Sequence, residues 1–440
     1  MTRNILIVIL VCLGCIQQTG AQNTVATYTL TSKTRLEVVN VIRQLLMDHY
    51  VFPDTARIMS AYLNQRLKAG AYNNSKDPVV FSDALTRDLF SVYHDGHLLV
   101  QYNPAFALQL SNPTVPTNNT NELERNRELN YGFRSVEILN GNIGYINLER
   151  FWADPVYGKE TAKAALKFVA NTHAIIIDLR TNGGGSPETV AMLCGFFLKT
   201  QTHINSSYNR SENTTTEFWA TPDSTLKELT NKPVYILTSQ RTFSAAEEFA
   251  YDLQSLKRAT IIGETTGGGA HNTFERDATN GFVISIPYGR AVNAVTKTNW
   301  EGVGVKPDIE VTAEKALEMA EIKIFEAMIA GAKSAEELYQ LNWQLDLLKA
   351  INNPIVIDTT TLKKYAGVFG DRTFTYTNGK LYYQRTGRQK FELEPMTPTI
   401  MKGKNNTYFK IEFVTDAQGN VNEVKAYYED VRVERAKRTN

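Results

Sequence analysis

The stretch "AIIIDLRTNGGGSPETV" (Ala174–Val190) runs from an apolar segment through consecutive glycines into a helix start. The apolar run reads as a buried strand that Asp178 and Arg180 end, and Ser186 with Pro187 are residue types that open helices. Gly183, Gly184 and Gly185 form the turn between them. The turn lacks the Gly-Lys-Ser/Thr ending of a phosphate loop, and its consecutive glycines break the G-x-G-x-x-G spacing. Two readings remain open: a plain tight turn, or a backbone cradle whose amides face developing negative charge.

Working outward, the same alternation repeats. "NIGYINLERF" precedes the helix pattern "GKETAKAALKFVANT", and strand "PVYILTS", helix "SAAEEFAYDLQSL" and strand "ATIIGET" follow. "GFVISIPYG" and "DIEVT" supply later strands. Short apolar runs separated by amphipathic helices predict an α/β core, placed at 134–312. Before it, apolar residues at threes and fours predict an N-terminal helical subdomain over 28–110, and the Asn- and Pro-rich 111–133 reads as a linker. A helical connector over 313–357 leads to 358–440, where Asn378-Gly379 between strand patterns predicts a small antiparallel β domain.

The chain of 440 residues is 42% hydrophobic and 21% charged, with a formal net charge of +1. That balance fits a globular protein with a sizeable core and argues against a nucleic-acid surface. The first 21 residues, with Arg3 and an apolar run from Ile5 to Cys15, read as a signal peptide and predict an exported protein, periplasmic or extracellular. Lipid attachment at Cys15 is the weaker reading, because Cys12 sits where a larger aliphatic residue is usual. Cys194 remains, inside the apolar "AMLCGFFL", as a small core residue without an internal disulfide partner.

Ser244 stands where strand pattern gives way to helix pattern, with Glu247 three residues on, which is the spacing of a capping box. A nucleophilic role needs a base. Of the histidines, His49, His173 and His203 read as surface or core positions. His97, in "YHDGHLLV", follows an Asp95-Gly96 turn at the start of a strand, and His271 in "GGGAH" sits in a glycine-rich loop and competes with it. Glu301, between Trp300 and a Gly-Val-Gly run, is a candidate orienting acid.

Taken in order, "DLRTNGGG", "LTSQRTFSAAEEFAYDLQSLKRATIIGETTGGG" and "EGVGVKPDIEV" resemble the core of the C-terminal-processing (tail-specific) serine peptidases, above all the branch with the tricorn protease core and the interphotoreceptor retinoid-binding protein. The resemblance covers 28–312 and implies a crotonase-like (ClpP/crotonase-type) α/β core. In the tail-specific branch a lysine in a later glycine loop serves the serine. Here that loop is Gly267–Gly269, with no lysine between Lys257 and Lys297, so the Ser-Lys dyad is excluded at that spacing. The tricorn-like branch implies a Ser244-His97-Glu301 triad with an oxyanion hole from Ala245 and Gly184 or a neighbouring glycine. Gly183, Gly185, Gly267, Gly268 and His271 are expected to bind substrate, and Asp252 to be structural. The interval 101–141 is too short for the PDZ domain of tail-specific enzymes, which at roughly 80 to 100 residues is small among domains. The expected activity is endopeptidase cleavage of polypeptide substrates without metal or organic cofactor. The competing expectation is a non-catalytic binding protein for hydrophobic ligands or peptides on the same fold.

Overall fold

A computed structural model describes residues 30–112, 119–152 and 155–439. The signal-peptide reading of residues 1–21 lies outside them.

The chain opens with helices α1 (Ser32–His49), α2 (Pro53–Lys68) and α3 (Pro78–Val92), then strand β1 (Leu99–Tyr102) and helices α4 (Pro104–Ser111) and α5 (Asn119–Glu128). The α5 segment was expected to be irregular linker. Its "NELERNRE" has no apolar face to signal a helix, but Glu, Leu and Arg are strong helix formers. There follow β2 (Phe133–Leu139), β3 (Ile143–Leu148), α6 (Pro155–Phe168), β4 (Ile175–Asp178), α7 (Pro187–Gly195), the hairpin β5 (Thr202–Asn209) with β6 (Thr214–Ala220), β7 (Val234–Thr238), α8 (Ala245–Ser255), β8 (Thr260–Gly263), β9 (His271–Asp277), β10 (Phe282–Asn293) and β11 (Ile309–Glu310).

Two sheets position the site. One has the order β11-β8-β7-β4-β3-β2, parallel except for the β2–β3 pair. Its β4 shows why an unbroken apolar run was needed. Successive side chains leave opposite faces of a strand, so Ile175 and Ile177 pack among Ala162, Val190 and Ala250, while Ile176 packs among Leu237, Ala320 and Ile324. The second sheet has the order β1-β10-β5-β6 with β9 also paired to β10. Its Phe282, Ile284 and Ile286 share a core with Val38, Leu46, Met59, Phe81 and Leu89 of the first three helices. That shared core fixes the β1 end, and hence His97, against the strands that follow the serine.

Helices α9 (Ala316–Ala330) and α10 (Ala335–Asn352) cover the outer face of the first sheet. After α11 (Thr359–Tyr365), eight antiparallel strands from β12 (Gly367–Phe369) to β19 (Val433–Lys437) pair in chain order. Asn378 and Gly379, at φ +51° and +79°, turn the hairpin in which Thr377 faces Lys380. Asn-Gly suits that turn because both central residues need positive φ.

Candidate active site

The glycine turn after β4 and the loop before α8 leave the carboxyl ends of adjacent parallel strands, the usual place for a site in such sheets. Hydrogen bonds stitch the two loops together. Thr242 Oγ1 donates to the Leu179 carbonyl at 2.8 Å, Ser239 Oγ to the Arg180 carbonyl at 2.6 Å, and the Phe243 N–H to the Asn182 carbonyl at 3.0 Å. Asn182 is fully buried and donates Nδ2 to the Leu148 carbonyl at 2.9 Å.

Ser244 stands at φ +55°, ψ −124°, a conformation L-residues rarely adopt. Such strain persists only where the surroundings over-determine it, and a serine held on a sharp strand-to-helix turn presents its hydroxyl outward. The clamp is Glu247, wholly buried, whose carboxylate accepts four donors. The N–H groups of Ser244 and Gly269 reach Oε2, each at 2.8 Å, and the Gly268 N–H and the Thr266 hydroxyl reach Oε1. The capping box expected from the sequence is present, and it ties Ser244 to the glycine loop as well.

Ser244, Ala245, His97, Gly183, Gly185 and His271 line one cleft of about 470 Å³. Gly267 and Gly268, expected to bind substrate, do not. Their N–H groups go to the Thr242 carbonyl and to Glu247, and of the three loop glycines it is Gly269 that faces the cleft. Gly184 also needs correcting as the named oxyanion donor, because its N–H is committed to Asn182 Oδ1 at 2.8 Å. What Gly184 provides is closeness: at φ +105°, an added Cβ would lie 2.8 Å from the Ser244 Cβ. The N–H groups of Gly183, Gly185 and Ala245 have no acceptor among the described residues.

His97 rests against Phe243, ring centroids 4.6 Å apart. Its Nδ1 is buried without a partner, leaving Nε2 as the nitrogen available to the cleft. Burial pushes the imidazole down to about 4, with the neighbouring Asp95 charge pulling up and His271 pulling down, so the ring is neutral at pH 7. Glu301 is buried with its Oε1 unpartnered, while Oε2 accepts the Ala270 N–H at 2.6 Å. Burial raises it to about 7, opposed by His271 and reinforced by Asp95. No hydrogen bond joins Ser244 to His97 or His97 to Glu301 in this structure. In free enzymes such bonds are often long and tighten only with substrate.

Asp95 was read only as a turn residue. It is fully buried and accepts the His97 N–H at 3.0 Å and the Tyr50 hydroxyl at 2.9 Å, with His271 Nδ1 at 2.7 Å from its Oδ2. Burial pushes its carboxyl up, but His271, the His97 N–H and Tyr50 together hold it below the ordinary value. His271 Nδ1 also lies 3.4 Å from Glu301 Oε2. Asp95, His97 and Glu301 each offer a ligand atom, all within 4.8 Å of one another, so a cation could bridge them. No zinc-like spacing in sequence announces that cluster, because Glu301 comes from a segment far from Asp95 and His97.

Residues 142–311 match the family model described as peptidase family S41, and residues 24–134 match that of the N-terminal domain of peptidase S41 in eukaryotic IRBP. These two segments place residues 24–134 and 142–311 with peptidase family S41. A carboxy-terminal-processing protease of Bartonella bacilliformis is 30% identical over 180 residues, 39% of this chain and 39% of that protein. A carboxyl-terminal-processing protease of Synechocystis sp. is 29% identical over 184 residues, 41% and 40% of the two chains. The chain therefore spans about two-fifths of the length of these curated relatives. A solved photosystem II D1 C-terminal processing protease is similar at 15% identity, covering 65% of this chain and 94% of that one, with a TM-score of 0.40.

Proposed function

We propose that this S41 family member is an exported serine endopeptidase with a Ser244-His97-Glu301 triad on a crotonase-like core. Neutral His97 takes the Ser244 proton through Nε2 as Oγ attacks the acyl carbon, giving a tetrahedral oxyanion. The Ala245 N–H and that of Gly183 or Gly185 receive the oxyanion. Glu301, through its unpartnered Oε1, accepts from His97 Nδ1–H and stabilises the imidazolium that forms. His97 then returns the proton to the leaving amine, and water repeats the sequence to release the acyl group. Asp95 holds the His97 backbone and His271 in place as a positioning residue.

The observation that carries this reading is the strained Ser244 backbone at the start of α8, in the same cleft as a histidine whose burial keeps it neutral. Export is supported by the leader-like residues 1–21, and among the described residues no helix is long and apolar enough to cross a membrane. A fluorophosphonate probe tests the chemistry: it should modify Ser244 in the wild type and leave Ser244→Ala unmodified. A wild-type protein that stays unmodified would refute the triad and return the fold to the binding-protein reading.

A further inference from the structure

One and two turns into α8 from Ser244, the helix carries two buried carboxyl groups, Glu248 and Asp252, that the reaction above does not use. Asn205 on β5 donates Nδ2 to Glu248 Oε1 at 2.9 Å, and Asn293 on β10 donates to Asp252 Oδ1 at 2.7 Å. Acceptors outnumber donors here: Asn205 Oδ1 and Asp252 Oδ2 are buried without any partner. Asn205, 2% exposed, and Glu248, 5% exposed, both line the cleft that holds Ser244. Among the described residues, no lysine or arginine lines it. Two carboxyl groups and an orphaned amide oxygen in a low-dielectric wall are costly unless something brings donors and positive charge. Burial raises both acids, Glu248 to about 7 and Asp252 well above the usual range.

We propose that Glu248 and Asn205 form the floor of a subsite that takes a cationic side chain, lysine or arginine, on the acyl side of the cleaved bond, with Asp252 packed behind them. The proposal rests on the serine-peptidase reading. Ser244, Glu248 and Asn205 line the same cleft, so a lysine whose carbonyl carbon sits on Ser244 has its side chain directed along the wall that carries Glu248. The ammonium then donates to the Glu248 carboxylate and to Asn205 Oδ1, which is buried without a partner.

The test uses two diphenyl phosphonates identical except that one carries a lysine side chain and the other norleucine, of similar length without the charge. The readout is the rate of Ser244 modification, followed by mass spectrometry. The lysine reagent should react faster by roughly tenfold or more in the wild type, and Glu248→Gln should bring the ratio of the two rates near one. Equal rates, or a faster norleucine reagent, in the wild type overturn the subsite while the adduct itself upholds Ser244 as nucleophile. No adduct with either reagent overturns both. The wild-type comparison stands even where Glu248→Gln folds poorly.

Discussion

Replacing Glu247 by glutamine keeps the side-chain shape but turns one acceptor oxygen into a donor. Placed at Oε2, the new amide nitrogen opposes the N–H groups of Ser244 and Gly269; placed at Oε1, it opposes the N–H of Gly268. The second orientation is the cheaper, since the Thr266 hydroxyl can accept where it formerly donated. At least one buried N–H is then unsatisfied, which costs about 1–3 kcal/mol. Part is offset, because burial raises the Glu247 carboxyl and an uncharged replacement escapes that desolvation. Removing the group altogether would strand four donors at roughly 4–12 kcal/mol, comparable with a typical domain's whole stability, so Glu247→Ala should not fold. Urea unfolding followed by tryptophan fluorescence measures the glutamine variant, and phosphonate labelling per folded molecule measures the site. We expect a loss of about 1–3 kcal/mol and labelling slowed by roughly tenfold to a hundredfold, since small displacements of a reacting group are costly. A variant within about 0.5 kcal/mol of wild type that labels at the wild-type rate would mean that Glu247 does not hold the strained serine.

The base can be assigned by substitution: His97→Ala should lose labelling by about 10²–10⁴-fold, while His271→Ala keeps most of it; the reverse pattern would give the role to His271. Stability should fall as pH rises from about 5 to about 7.5. Glu301 moves from an ordinary 4.5 to about 7, so the folded chain holds that proton more tightly between those values; the resulting stabilisation is full below the lower one and is lost on passing the upper. Each pH unit in that window is worth about 1.4 kcal/mol for a fully coupled group, and Glu248 and Glu321, also raised to about 7 by burial, add in the same direction. Urea midpoints at the two pH values measure it, and a higher midpoint at the upper pH contradicts the assignment; labelling should show the opposite trend, falling as Glu301 takes up its proton.

Some elements were legible because a local pattern carried them. The β4 run of isoleucines declared itself, since a strand covered on both faces needs apolar side chains at every position. Asn378-Gly379 declared its turn through backbone freedom alone. The β5–β6 hairpin was not read, because "TTTEFWA" is largely exposed and shows no apolar alternation. The polar α5 hid for the same reason.

The residues at the site divide along a similar line. By itself the sequence determined the α/β alternation, the serine at a helix start and the order of its motifs, because these are set by neighbours a few residues away. Only the tertiary structure decided which amides are free. Asn182 claims the Gly184 N–H, Glu247 claims that of Gly268, and Asp95 is drawn in as a buried acceptor for Tyr50, His97 and His271. Glu247 with Gly268, and Asp95 with Tyr50 and His271, join distant segments, while Asn182–Gly184 and Asp95–His97 are two residues apart and follow from how each turn is folded. Hydrogen bonds and desolvation act over a few ångströms of space, and sequence distance says little about who occupies that space.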